Sequence, residues 1–189
     1  MKKILVFCDY YRPSLKAGGG MWTVANLVDR FCDRYQFHIV TRNYDSPGDT
    51  RPYTGVRTGE WNEMGNAQVY YAAANDLTAT KCAALATMVG PDVVFLNSVF
   101  STPVVKFLIA RRKRLAPDCG VVLAPCGELS EGALRSKSLK KRAFLAVAKA
   151  IGLYRDVFWK ASTDLESHEI RGVFGKHLGP FIAPDLTPR

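Results

Sequence analysis

Three consecutive glycines, Gly18, Gly19 and Gly20, sit between a first apolar run and a first amphipathic stretch in YYRPSLKAGGGMWTVANLV. Glycine gives up backbone entropy, so such a run implies a need for bare backbone. N–H groups and the helix dipole at a glycine-opened helix favour an anion. A flexible turn that simply opens the helix explains the run equally well. A dinucleotide fingerprint fits poorly. Gly18 to Thr23 lacks the third glycine, the run begins about ten residues after the strand ends, and Arg42-Asn43 provides no acid for a ribose. No Gly-Lys-Ser/Thr is present, which removes a Walker-type loop.

The second stretch with chemistry is APCGELSEGALRSKSLKKRAF, Ala124 to Phe144. It leaves a strand at Cys126-Gly127-Glu128 and carries Arg135, Lys137, Lys140, Lys141 and Arg142. Lys137 and Lys141 are one helical turn apart on one face. Cations near a helix start oppose its dipole, and a bound anion would offset that. A solvated basic face is the competing reading. Asn97 and Ser98 end another strand. Lys106 and Arg111–Arg114 form a second basic cluster, read as solvated or membrane-facing surface without chemistry. Of the histidines, His38 lies inside a strand, and His168 and His177 read as surface residues. No Ser/His/acid set and no glycosidase-like acid pair is legible. No metal-ligand spacing is legible either, so no metal or cofactor is expected.

The elements that must position these residues alternate. Lys3–Cys8, Phe37–Thr41, Gln68–Ala72, Asp92–Asn97, Val121–Ala124, Val157–Lys160 and Phe181–Ala183 read as strands. A helix follows the glycines through Tyr35, and another runs from an Asp76 cap to about Val89, where Gly90-Pro91 breaks it. A third starts at Ser101 or Thr102 with Pro103 in its first turn. Leu139–Ile151 is a fourth. Thr163-Asp164-Leu165-Glu166 fits a capping box on a fifth, which should stop at Gly175. Residues 51–66 read as an excursion with hairpin character. The pattern predicts an α/β fold, a parallel sheet with helices on both faces, and a ligand site at the carboxyl ends of the strands.

A chain of 189 residues fits one domain with a sizeable core. Five cysteines, odd in number and set mostly in apolar stretches, suggest reduced thiols and a cytoplasmic setting. The net charge of +9 is uneven. Residues 1–99 hold 10 Lys and Arg against 9 Asp and Glu, whereas residues 100–189 hold 16 against 8. The second half is the one that would meet an anion: a phosphorylated substrate, a membrane surface or nucleic acid.

The glycine loop before a long helix, the APCGELSEGALRSKSLKKR stretch after a middle strand, and GLYRDVFWKASTDLESHEIRGVFG together resemble the amino-terminal half of a retaining GT-B glycosyltransferase. The group is the family-4-like one that holds bacterial transferases of polysaccharide and lipopolysaccharide assembly. The resemblance implies a Rossmann-like domain over residues 1–183 and, at 184–189, the start of a hinge to a carboxy-terminal donor-binding domain. On that reading the chain is a fragment, inactive alone. The resemblance implies hexosyl transfer from a nucleotide sugar, a substrate rather than a cofactor, to a sugar or lipid-linked acceptor. Gly18, Gly19 and Gly20 would approach the donor diphosphate. Cys126 stands where relatives often carry His or Arg at the reaction centre, with Gly127 beside it and Glu128 lining the acceptor pocket, and Asn97 and Ser98, at their strand end, would touch the acceptor. Glu166 matches the family's acid after a hydroxyl cluster, Ser162 and Thr163, and its capping-box reading stands beside that role. Lys160 replaces a frequent His. The resemblance also admits peripheral contact with the inner face of the membrane. A stand-alone nucleotide- or phosphate-binding module is the leading alternative. An NAD-dependent oxidoreductase is weakened by the failed fingerprint. A nucleic-acid-binding domain ranks last, because no aromatics interleave with the basic residues.

Overall fold

The computed structural model describes residues 1–189 except Leu15, Pro47, Thr50, Lys137 and Arg189. In chain order the elements are β1 (Lys2–Phe7), α1 (Gly19–Phe31), β2 (Tyr35–Arg42), β3 (Trp61–Met64), β4 (Ala67–Ala72), α2 (Ala79–Val89) and β5 (Val93–Asn97). They continue with α3 (Thr102–Arg112), β6 (Gly120–Ala124), α4 (Glu131–Arg135), α5 (Ser138–Ala150), β7 (Phe158–Ala161), α6 (Asp164–Phe174) and β8 (Phe181–Ile182).

The strands form one sheet in the order β3-β4-β2-β1-β5-β6-β7-β8. Every pairing is parallel except β3 with β4; the excursion at residues 51–66 supplies only one strand of that hairpin, β3, and its partner is the strand expected at Gln68–Ala72. Strand β1 shows why the sheet needs two covers. Its Leu5 and Phe7 point into a core with α2, α3, α5 and α6, and its Val6 points into a second core with α1. Alternate side chains of a strand face opposite ways, so a run that is apolar throughout must be buried on both faces. The sheet order reverses direction at β1: the chain runs outward through β2 and β4, then returns to β5 on β1's other side. That switch point opens a crevice between the loops after β1 and β5, where open α/β sheets bind ligands.

Local signals account for most boundaries. Gly90 takes φ 59° and closes α2, and Thr163 accepts the Glu166 N–H to open α6. Several details differ from expectation. The first helix stops at Phe31, and Tyr35, expected within it, opens β2. The cap of α2 is Thr78, whose Oγ1 accepts the Lys81 N–H at 3.1 Å, not Asp76. A short extra helix, α4, precedes α5, with Ser130 accepting from the Ala133 N–H. Among the described residues no helix is long and apolar enough to cross a membrane.

Candidate active site

The carboxyl ends of β1, β5, β6 and β7 bring the glycine run, Asn97, Cys126–Glu128 and Glu166 together. The amino terminus of α1 begins at Gly18, and no side chain caps it. A side chain at Gly18 or Gly19 would stand in open space, whereas a Cβ at Gly20 would come within 3.3 Å of Asn97 Nδ2. Asn97 Nδ2 donates to the Gly20 carbonyl at 2.8 Å, and its Oδ1 accepts the Cys126 thiol at 2.8 Å. One amide therefore ties the glycine loop to the corner after β6.

That corner is sharp. Cys126 and Gly127 take φ 54° and 77° in succession, the left-handed region that only glycine enters freely. The turn aims the Gly127 N–H at α6, where Glu166 Oε1 accepts it at 2.7 Å; Oε2 accepts the Ser162 N–H at 2.6 Å. The capping box is thus half formed. Thr163 caps the helix, but the Glu166 carboxylate joins β6's corner to the end of β7 instead of returning to the Thr163 N–H. Burial pushes the Cys126 thiol up to about 12, and the nearby Asp185 and Glu166 charges add to that.

Glu128 turns the other way. Both its oxygens lie 2.8 Å from Ser98 Oγ, and Oε2 accepts the Val99 N–H at 2.7 Å and the Phe100 N–H at 3.4 Å. Ser98 is held at φ 94° by these bonds and its own Oγ accepts the Ser101 N–H. Glu128 therefore fixes the loop that opens α3. Burial raises its pKa against the opposing pull of those bonds. Asp9, ion-paired with Arg42 at 2.8 Å, is likewise raised, chiefly by burial.

Two hollows flank the start of α1. A cleft of about 600 Å³ is bounded by Gly19, Trp22, Gly127, Thr163, Glu166 and Asp185. A smaller hollow of about 220 Å³ lies beneath the glycines, against Asp9, Asn97, Ser98 and Glu128. Lys160 stands buried at the end of β7, donating to Asp185 at 2.5 Å and to Ser162 Oγ at 2.9 Å. Asn26 donates to the Leu186 carbonyl at 2.6 Å, so α1 holds the segment after β8 along the cleft.

Of the site residues read from the sequence, Gly18–Gly20, Asn97, Ser98, Cys126, Gly127, Glu128 and Glu166 converge. Lys141 does not. Its ammonium donates to the Ala133 carbonyl at 2.7 Å and lies 5.1 Å from the Phe100 ring centre, where it closes the carboxyl end of α4. Lys137 lies outside the described residues. Sequence reasoning missed Asp9, Trp22 and Asp185. Asp9 directly follows the first strand and Trp22 follows the glycines, so both carried a positional signal; Asp185 did not. His38 packs edge-on against Trp61, 5.5 Å between ring centres, and burial lowers its pKa. Among the described residues, no three His, Cys, Asp or Glu side chains come together as metal ligands.

No protein-family model and no curated protein matches this chain. Among solved structures it is similar to a sucrose-phosphate synthase from Thermosynechococcus elongatus, with a TM-score of 0.59 and 15% sequence identity. The match covers 97% of this chain and 48% of that one, so the chain spans about half the length of the structure it matches. The fold is Rossmann-like, of the GT-B type. At this identity the likeness shows the architecture alone.

Proposed function

We propose that this chain is the acceptor-side half of a glycosyltransferase that moves a hexosyl group from a nucleotide sugar to a hydroxyl acceptor, with retention, in polysaccharide or lipopolysaccharide assembly. The observation that carries this reading is the uncapped start of α1 standing between two hollows. On the Gly127–Glu166 side, N–H groups of the glycine turn meet an open cleft wide enough for a diphosphate and a sugar. On the other side, Asp9 and Glu128 line a hollow whose carboxylates suit the hydroxyl hydrogens of an acceptor sugar. Trp22, 51% exposed at the cleft rim, offers a flat apolar face to a pyranose ring.

In this reading the negative charge that develops on the leaving diphosphate meets the glycine N–H groups, which are preorganised and need no rearrangement. Lys141 and Lys160 are engaged elsewhere, so most countercharge must come from a donor-binding domain. The test is to incubate the full-length protein with a panel of nucleoside diphosphate sugars and follow release of the nucleoside diphosphate. Turnover with at least one donor, stimulated by an acceptor glycan, is expected. Failure to bind or turn over any donor would overturn the reading.

The second reading is a phosphate- or nucleotide-binding module without catalysis, favoured by the same uncapped helix end, which needs no acceptor pocket. Nucleotide affinity of this chain alone, equal to that of the full-length protein and without turnover, would select it.

A further inference from the structure

The carboxyl ends of α3 and α5 meet around a cleft of about 550 Å³ lined by Arg111, Arg112, Arg114 and Arg155. The run Arg111–Arg114, expected as a surface without chemistry, therefore faces a concavity. The cleft lies beyond the amino ends of β6 and β7, at the opposite end of the strands from Gly127 and Glu166. Two buried side chains, Leu108 and Leu153, make an apolar part of its wall. Among the described residues none of the four guanidinium groups is ion-paired, although Asp118 and Asp156 also line the cleft.

Arginines at helix ends commonly serve the last carbonyls and the dipole. Arg111 acts in this way, donating to the Arg155 and Asp156 carbonyls at 3.3 and 2.9 Å. Among the described residues the guanidinium groups of Arg112, Arg114 and Arg155 make no such bond. Two of them crowd together instead. Arg112 Nη2 and Arg155 Cζ each lie 3.8 Å from the point where a Cβ on Gly152 would stand. Like charges held this close oppose one another, and an anion between them would reverse that. Arg114 adds a backbone cost. Helices α3 and α5 end alike, the Leu115 N–H bonding to the Ala110 carbonyl at 3.0 Å as the Leu153 N–H bonds to Ala148 at 2.8 Å. Before Leu153, α5 places Gly152 at φ 61°; before Leu115, α3 places Arg114 at φ 56°. Asp156, at φ 60°, is another left-handed residue of the cleft that is not glycine. Such residues oppose the local backbone preference and gather at ligand sites.

We propose that the cleft at the ends of α3 and α5 is a second ligand site, which binds a soluble phosphomonoester. Four cations against two carboxylates leave its lining with two positive charges in excess. A phosphomonoester at neutral pH carries about −1.5 to −2. Guanidinium forks match phosphate oxygens in pairs. The leucine wall suits the carbon skeleton of the ester, and the volume is that of a small-molecule pocket. One ester can turn its phosphate toward the arginines and away from Asp118 and Asp156; a leaflet of many phosphates cannot. The proposal is independent of the reaction assigned to the cleft at the other end of the strands.

The test is calorimetric titration of the full-length protein with orthophosphate and with glycerol 3-phosphate at constant ionic strength. Saturable binding of both is expected, tighter for the ester. Arg112→Gln with Arg155→Gln exchanges two exposed side chains, so it should keep the native circular dichroism while lowering affinity by about tenfold or more. Arg114→Gly removes a guanidinium group but eases the left-handed backbone. It should lower affinity by about threefold or more with no fall in the thermal midpoint, a split that a purely structural arginine would not give. No saturable binding, or wild-type affinity in the double variant, would overturn the proposal. Phosphatidylglycerol vesicles that bind the wild type and displace glycerol 3-phosphate would overturn it too, since the arginines would then serve lipid head groups.

Discussion

Glu166 and Gly127 are joined across the cleft: the carboxylate of the α6 residue accepts the N–H of the β6 corner at 2.7 Å while holding the Ser162 N–H with its other oxygen. The residue is almost wholly buried. Its removal would leave two backbone donors of the cleft wall without a partner, which is more expensive than losing a hydrogen bond in water. Glu166→Ala should therefore lower stability by about 2–3 kcal/mol. Urea unfolding should show a lower midpoint at unchanged slope. An unchanged midpoint with altered donor affinity would mean that the carboxylate serves ligand more than fold.

The glycine run allows a cleaner separation of fold from ligand. Gly19 is helical, lacks a positive φ and faces open space, so Gly19→Ala should leave stability unchanged or raise it by up to about 0.5–1 kcal/mol. Gly20→Ala should destabilise instead, by about 1 kcal/mol, because its Cβ presses on the Asn97 amide that bridges to Cys126. If a diphosphate rides against the bare backbone, both variants should bind a nucleoside diphosphate sugar at least about tenfold more weakly. Calorimetric titration of the Gly19→Ala full-length protein decides it. Undiminished affinity would return the run to the role of a helix-opening turn.

These two cases also mark what could be read from the chain. Strand β1, the Thr163 cap and the Gly90 stop are local: each depends on residues within one turn, and each appears where periodicity placed it. The α2 cap moved from Asp76 to Thr78 because two capable oxygens lie two residues apart, and only the geometry of the first turn selects between them. Lys141 was legible as part of a basic face but not as the closing partner of the Ala133 carbonyl. The helix that presents that carbonyl, α4, has five residues and leaves no periodic trace. The site itself was legible as a set of strand ends. Its wiring was not: Gly20 meets Asn97 across 77 positions and Gly127 meets Glu166 across 39. Sheet order creates those meetings, and no spacing in the sequence encodes it. Asp185 entered the cleft the same way, drawn in by Lys160 from β7.

Glu128 should make stability depend on pH in an unusual direction. Its folded pKa is raised above the ordinary 4.5, mainly by burial, so the folded chain holds this proton more tightly than the unfolded chain does. Where the native state binds more protons, stability falls as pH rises. The stabilising increment is complete below pH 4.5 and is lost as pH climbs through the raised value. Glu128→Gln removes this titration and keeps one acceptor for the Val99 N–H. The difference in unfolding free energy, wild type minus variant, should therefore decline as pH rises from about 4.5. Asp9 shifts in the same direction and its charge adds to the Glu128 shift, so the difference reports Glu128 together with that coupling. A difference that rises across this range would mean that the Ser98 and Val99 bonds outweigh burial.

Cys126 lines the cleft, yet its thiol should be inert. The thiolate is the reactive form, and burial moves this thiol from 9.0 to about 12. At pH 8 the ionised fraction is then roughly a thousandfold smaller than for an ordinary cysteine. Its hydrogen is also committed to Asn97 Oδ1. Iodoacetamide labelling of the folded protein, mapped by mass spectrometry, should leave Cys126 unmodified over times that label it fully in urea. Cys126→Ser preserves a donor to Asn97 and should retain donor turnover, because a protonated thiol cannot act as a nucleophile or base. Rapid labelling of the folded protein, together with loss of turnover in the serine variant, would instead assign chemistry to the sulfur.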